Sequence, residues 1–289
     1  LSKIGILNLQ GCKVVPVGYG DSFIINNVFE VTNIDPDKIF TRLLNETNWT
    51  TMKHKTGDVP RLISIQYINN NEGDEPVYRH PVDIQPPSEP MSQIVQYVKN
   101  IIEFKFSKIL GFSPFNHVLV QLYRNGHDHI KHHSDKTLDI INGSPIINVS
   151  FGCTRKLKLK SKFCDITGKK DIVDIDMEHN SIFVLGHGTN RFYTHGIKPD
   201  KRPKSVKSPD ELSFNEQRIS LTFRSIGSFR KNNGDIYGIG NTSASSEEQD
   251  AEGEKMLIAF GKENKFYHLE HNEIYGNGFN CINFETPLH

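Results

Sequence analysis

The stretch richest in chemically able side chains runs from Val118 to Asp135: Val-Leu-Val-Gln-Leu-Tyr-Arg-Asn-Gly-His-Asp-His-Ile-Lys-His-His-Ser-Asp. It opens as an apolar, β-branched run ending at Tyr123, and Asn125-Gly126 is a tight-turn signal that sends the chain into a second extended run. Side chains two apart on a strand share a face, so His133 and Asp135 project together, about 7 Å apart along the chain. An imidazole and a carboxylate placed this way can hold one metal ion. A third ligand from elsewhere would complete a two-His, one-carboxylate face with positions left open for substrate and oxygen. By itself His-x-Asp suits a solvated turn equally well, so its meaning depends on what else the chain carries.

Three later histidines can close such a site. His179 lies in the polar turn Glu178-His179-Asn180 and His187 lies between two glycines, both positions suited to loops. His195 ends the run Arg191-Phe192-Tyr193-Thr194-His195, where a strand delivers a side chain inward before Gly196 turns the backbone. It is the favoured third ligand. Downstream, Arg218-Ile-Ser-Leu-Thr-Phe-Arg224 sets Arg218, Ser220, Thr222 and Arg224 on one face, with Ile219, Leu221 and Phe223 on the other, towards a core. The two arginines stand roughly 20 Å apart at Cα. Bent towards each other, their side chains bring two guanidinium forks within the span of a short dicarboxylate, for which guanidinium is the bidentate partner.

The elements that must position these groups are mostly strands. Asp35-Pro36 is a helix start, and Ile39, Phe40, Leu43 and Leu44 form the apolar face of a helix ending near Thr47, followed by Trp49 as a core anchor. Residues 60–67 read as a strand, and Met91 to Phe106 as an amphipathic helix carrying Ile94, Tyr97, Val98, Ile101 and Ile102 on one face. Strands are then expected at 116–123, 128–134, 145–152, 155–160, 171–176, 181–185, 191–195 and 217–226. Many short strands after two helices predict a mainly β (α+β) protein with a double-stranded β-helix, or jelly-roll, core supported by helices.

Composition bounds the function. A chain of 289 residues with 36% hydrophobic and 24% charged residues suits one substantial soluble core, and a formal net charge of zero provides no overall field to gather polyanions. Any nucleic-acid contact must rest on local patches. Cys12, Cys153, Cys164 and Cys281 lack zinc-ligand spacing and read as reduced thiols of a nuclear or cytoplasmic protein. No apolar run approaches membrane-spanning length, no signal-peptide pattern opens the chain, no protein partner is readable, and a monomer is expected.

Several linked segments resemble, in order and spacing, the AlkB family of iron(II)- and 2-oxoglutarate-dependent dioxygenases. They are Phe115-Asn116, Val118 to Tyr123, Gly126, Asp128, Ile130, His133-x-Asp135, Ser144-Pro145-Ile146, Val149 to Gly152, Arg155, His195-Gly-Ile-x-Pro199 and Arg218-x5-Arg224. The resemblance covers about residues 29–226. It implies His133, Asp135 and His195 as iron ligands. Arg218 and Arg224 would hold the two carboxylate ends of 2-oxoglutarate with help from the Tyr123 hydroxyl, although spacing does not say which arginine takes which end. Iron(II), 2-oxoglutarate and O2 are the implied cofactors, and oxidative demethylation of N-alkylated nucleic-acid bases the implied reaction. Gln121 and Ser220 stand where the family often has Asn. Thr137 stands where an acidic residue can help read the base, which leaves base specificity open.

A base substrate must be flipped out of its stack. The segment around Pro60-Arg61 and Tyr78 looks like the lid of the family's DNA-repair members, which makes Tyr78 and His80 candidate stackers opposite the His133 ring. Lys156, Lys158, Lys160 and Lys162 alternate with Leu157 and Leu159, a lysine stripe in which Lys158 and Lys160 are the expected phosphate contacts. Arg202, Lys204 and Lys207 make a second basic loop. The expected layout is an N-terminal strap (1–28), the dioxygenase domain (29–226), a polar and acidic linker (227–254) and a C-terminal extension of unread role (255–289). The same chemistry on a protein side chain or small molecule, or a non-catalytic binding module on this scaffold, are the alternatives.

Overall fold

The computed structural model describes residues 14–29, 35–54, 57–81, 87–110, 114–242 and 249–282. Its centre is a nine-stranded sheet whose inner strands are Ser181–Leu185, Ile146–Gly152, Arg218–Arg224 and His117–Tyr123, adjacent in that order. A four-stranded sheet of Ile172–Met177, Arg155–Ser161, Tyr193–Ile197 and Ile130–His133 packs against it. This is the expected jelly-roll core. The expected 191–195 strand begins later because His187–Phe192 is a short helix, with the strand running Tyr193–Ile197.

The strand alternation decides what each face does. Val118, Val120 and Leu122 join Ile219, Leu221 and Phe223 in a core beneath the helices Pro36–Glu46 and Gln93–Leu110. On the opposite face Leu119, Gln121, Tyr123, Arg218, Ser220, Thr222 and Arg224 turn towards the smaller sheet, where Leu157 and Ile197 meet Phe183 and Leu185. One sheet therefore carries the hydrophobic core on one side and the polar chemistry on the other. The first helix starts as expected, with Asp35 accepting from the Asp37 N–H and Pro36 in the first turn. Trp49 packs against the same core, its indole N–H donating to the Leu44 carbonyl.

Two parts of the expected layout change. The N-terminal stretch is no separate strap from Val14 onward: Val14–Val17 and Ser22–Asn26 extend the large sheet beside Ser181–Leu185, because Phe23 and Ile25 have core to bury against. The apolar runs Ile4 to Leu7 and Phe23 to Ile25 both read in sequence as short strands or strapping segments; the second is a strand, and the first lies outside the described residues. The expected linker 227–254 is also structured. Ser228–Arg230 and Ile236–Gly238 form a hairpin completed by Glu75–Pro76, and the helix Gln249–Lys265 begins within the acidic stretch. Met256, Ala259 and Phe260 of that helix pack with Leu138, Tyr275 and Phe279, while Leu257 and Ile258 face outward among charged residues.

Arg79 locks this C-terminal region to the core. Its guanidinium, wholly buried, pairs with Asp139 at 2.6 Å and donates to the carbonyls of Gly240, Phe279 and Cys281. Removing one partner strands the other charge in the interior. Arg79→Ala is therefore expected to lower the unfolding free energy by about 3–5 kcal/mol, read from urea titration.

Candidate active site

The neighbouring strands Ile130–His133 and Tyr193–Ile197 place His133 directly opposite His195, their rings 4.4 Å apart between centroids. Asp135 follows where the chain leaves the strand. The ligand atoms of His133, Asp135 and His195 all lie within 4.8 Å of one another. The Lys131 carbonyl, 2.8 Å from His133 Nδ1, can only accept, so Nδ1 carries the proton and Nε2 offers its lone pair. Asp135 Oδ1 takes Arg224 Nη2 at 2.5 Å and the Tyr78 hydroxyl at 3.3 Å, while Oδ2 lies 3.8 Å from His195 Nε2.

The protonation states suit a cation. Burial, reinforced by the neighbouring His195, pushes His133 down to about 3, and burial likewise lowers His195 against the pull of Asp135. Burial alone would raise Asp135, but Arg224 and the two imidazoles override it and hold the carboxyl well below its usual range. Two neutral imidazoles and one carboxylate are thus ready at neutral pH without losing protons first.

Residues 134–137, which carry Asp135, form no ladder of their own, and each backbone N–H finds a side chain instead. Ser134 donates to Asn264 Oδ1 (2.9 Å), Asp135 to Asn190 Oδ1 (2.9 Å), Lys136 to the Tyr78 hydroxyl (3.0 Å) and Thr137 to Glu263 Oε1 (3.1 Å). Asn190 also donates to the Asp135 carbonyl at 2.8 Å, so its carboxamide grips the ligand's peptide as a neighbouring strand would. Asn190 sits on the helix His187–Phe192, whose first amides Gly188 and Thr189 are capped by Asp21. Asp21, Asn190, Glu263 and Asn264 escaped the sequence reading. Asn190, in Thr-Asn-Arg five residues before His195, was the one within reach of a motif-centred search.

Arg218 and Arg224 line the same cavity, of about 320 Å³, as the three metal-binding candidates. Arg218 donates to Ser150 Oγ (2.6 Å) and Asn148 Oδ1 (3.2 Å) and lies beside the Tyr123 ring. Burial draws the Arg218 guanidinium down to about 10. The Nε and Nη1 atoms of both arginines are buried without hydrogen-bond partners. Unpaired guanidinium donors inside a protein are costly, and a dicarboxylate has the acceptors to satisfy them. The residues therefore fit such a co-substrate. Of the departures noted in the sequence, Gln121 accepts from Arg61 Nε at 2.5 Å and Ser220 accepts from Asn148 at 2.7 Å.

Other expectations are redrawn. Tyr78 is 4% exposed, its ring 4.1 Å from the Arg224 guanidinium and its hydroxyl held between Asp135 and Lys136. It supports the ligands from beneath and, though little exposed, is part of the cavity lining. His80 lines the cavity beside it. The lysine stripe lies on the outer face of the small sheet, away from the cavity that Leu157 lines. Lys156 pairs there with Asp176 and Lys158 with Asp174, directly across the strand pair. Lys162 turns back onto the Glu263 and Asn190 carbonyls, leaving Lys160 exposed on that outer face. Neither Lys158 nor Lys160 reaches the cavity. In the second basic loop Arg202 pairs with Asp200 and Glu211, and Lys204 and Lys207 with Glu216. Thr137 faces Glu263, not the cavity, and His179 accepts from the Gly152 N–H beside Asp37.

A family model described as the 2OG-Fe(II) oxygenase superfamily matches residues 22–224. The DNA oxidative demethylase ALKBH2 of Bos taurus is 34% identical over 117 residues, covering 39% of this chain and 37% of that protein. The alpha-ketoglutarate-dependent dioxygenase alkB homolog 3 of Bos taurus is 28% identical over 204 residues, covering 66% and 62%. The chain thus spans less than two thirds of either relative. A solved structure of OsALKBH1 aligns with a TM-score of 0.47 at 17% identity, over 74% of this chain and all of that one.

The geometry separates two ligand variants. His195→Ala is expected to abolish cobalt(II) binding, followed by absorption titration, with little loss of stability. Asp135→Ala is expected to abolish it too and also to cost about 3–5 kcal/mol in urea unfolding, because Arg224 is left buried and unpaired.

Proposed function

The chain belongs to the 2OG-Fe(II) oxygenase superfamily, and from that premise we propose that it is an iron(II)- and 2-oxoglutarate-dependent dioxygenase that oxidatively demethylates N-alkylated nucleic-acid bases. The observation that carries this reading is the meeting, in one cavity, of the His133, Asp135 and His195 donor set with two buried guanidinium groups holding unused donors. His133, Asp135 and His195 would hold the iron. Arg224, already bonded to Asp135, would take the carboxylate of the co-substrate nearer the metal, and Arg218, beside Tyr123 and Ser150, the other.

When bound, iron(II) and 2-oxoglutarate supply oxidative decarboxylation to succinate coupled to hydroxylation of a C–H bond, after which a hydroxylated N-methyl group leaves as formaldehyde. The protein's own part is placement and dryness. Arg224 keeps the Asp135 carboxylate ionised and would share its charge between Asp135 and the co-substrate. Ser150 and Asn148 fix the Arg218 fork in orientation, and Asn148 is itself held by donating to Ser220 and Thr222. Leu119, Leu157, Phe183 and Leu185 line the remaining wall with apolar surface, which excludes water from the reacting atoms.

The nucleic-acid substrate is supported by the names of the relatives and by the mouth of the cavity. His129, Lys131 and His133 follow each other along one side of the extended run, and exposed Lys131 lines the entrance with Pro60, Arg61 and His80. Arg61 is tied to the wall, donating to the His129 carbonyl at 3.1 Å, so Lys131 is the cation placed to meet a phosphate next to a flipped base. The protein would act in the nucleus or cytoplasm.

Incubated with methylated oligonucleotides, iron(II) and 2-oxoglutarate, the protein is expected to release formaldehyde and succinate in equal amounts. Succinate formed with a methylated peptide but with no oligonucleotide would move the reading to a protein substrate. Arg218→Ala should raise the KM for 2-oxoglutarate by roughly ten- to a hundredfold through loss of charge-assisted bonds. Lys131→Ser should flatten the salt dependence of oligonucleotide binding by about one unit of slope, whereas Lys158→Ser, already neutralised by Asp174, should leave it unchanged.

A further inference from the structure

The family match ends at residue 224, yet two of the four side chains that hold the metal-bearing turn come from the helix Gln249–Lys265. We propose that Asn264 and Glu263 are positioning residues of the metal centre, so that this helix is a working part of the active site. The inference rests on the reading of His133, Asp135 and His195 as metal ligands and is independent of the substrate.

Hydrogen-bond chemistry leaves Asn264 one orientation. The Ser134 N–H and the Lys136 ammonium, 2.9 and 2.6 Å away, can only donate, so the atom facing both is the carboxamide oxygen. Ser134 is the residue between His133 and Asp135, and its hydroxyl donates to the Tyr193 carbonyl at 3.1 Å. Ser134 is therefore held twice, by its backbone N–H and by its hydroxyl. Lys136, whose side chain is 3% exposed, also reaches the Phe260 carbonyl and Glu263, and an ammonium at a helix C-terminal turn meets the favourable end of the helix dipole. Glu263 Oε1 accepts from both the N–H and the hydroxyl of Thr137, while Oε2 accepts from the Tyr275 hydroxyl at 2.5 Å.

The consequence for a metal is directional. Asp135 leaves the strand at its end, so no neighbouring strand fixes its backbone. Its carboxylate points at the two imidazoles only while the peptides before and after it stay in place. Asn264 holds the N–H of the preceding residue, Ser134, and Glu263 that of Thr137, two residues on. Partners of this kind commonly change metal affinity ten- to a hundredfold when removed.

The test uses the full chain and cobalt(II) as probe, with dissociation constants from absorption titration and thermal midpoints measured in parallel. Asn264→Ala removes the acceptor, and Asn264→Asp keeps acceptor oxygens for Ser134 and Lys136. We expect Asn264→Ala to weaken cobalt binding about ten- to a hundredfold with a near-native thermal midpoint, and Asn264→Asp to restore it to within about threefold. Should Asn264→Ala itself prove unstable, Glu263→Met, which keeps the side chain's length but removes both acceptors, is measured in its place, with weakened cobalt binding again the expected result. Cobalt affinity within about twofold of wild type in the folded variant overturns the proposal, as does an equal loss in Asn264→Ala and Asn264→Asp. Because cobalt binding is read without 2-oxoglutarate or nucleic acid, a wild type that binds cobalt but demethylates nothing would overturn the proposed substrate alone. A wild type that binds no cobalt would overturn the metal site and this inference together.

Discussion

Buried backbone amides must have partners, and the architecture around the metal centre follows from that requirement. A carboxylate ligand has to leave the sheet to meet two histidines that face each other across strands. Once it leaves, the ladder no longer serves its peptides. The chain answers with four side chains drawn from three distant places: Tyr78, Asn190 from a short helix, and Glu263 and Asn264 from the helix Gln249–Lys265. The surrounding order is set by these attachments. Asp21 caps the helix that presents Asn190, and Arg79, next to Tyr78, clasps the segment that follows the C-terminal helices.

Charge is arranged with the same economy of position. Asp135, Arg224 and Tyr78 form a buried stack in which the guanidinium lies over the phenol ring and against the carboxylate. A lone buried carboxylate would take up a proton, whereas this one stays ionised because Arg224 is fixed against it. Burial would lower Arg224, but Asp135 and Tyr78 together outweigh it and the guanidinium is held above its ordinary value. Arg218 has no such anion and answers only to neutral acceptors. The asymmetry distinguishes two arginines that look alike in sequence.

The two-residue alternation was enough to read the inner strands and the inward turn of Arg218 and Arg224, because these depend on local periodicity; it set His133 and Asp135 on one side, but Asp135 lies beyond the strand, where side chains rather than a ladder hold it. It also read the lysines on one face of Arg155–Ser161 correctly. What it could not see was the partner strand, whose Asp174 and Asp176 meet those lysines in register. Tyr78 was legible as a site residue but not as a buried one, since its depth depends on the hairpin and helices behind it. The C-terminal helix was opaque for a related reason. Its apolar residues serve a small satellite core, and its two active polar residues, Glu263 and Asn264, belong to no motif; their role exists only through contacts with residues more than a hundred positions earlier.

Those long separations set an order in time. Arg79 waits for Phe279, 200 residues later, and Ser134 waits for Asn264, 130 residues later. Contacts between distant parts of a chain form slowly and cannot form before both parts have been synthesised. On the ribosome the strands bearing His133 and His195 can pair well before residue 264 emerges, leaving the turn between them ungripped. Competence for metal is therefore acquired only once residue 264 has emerged, and a nascent chain stalled short of that point would carry every ligand without the grip that aims them.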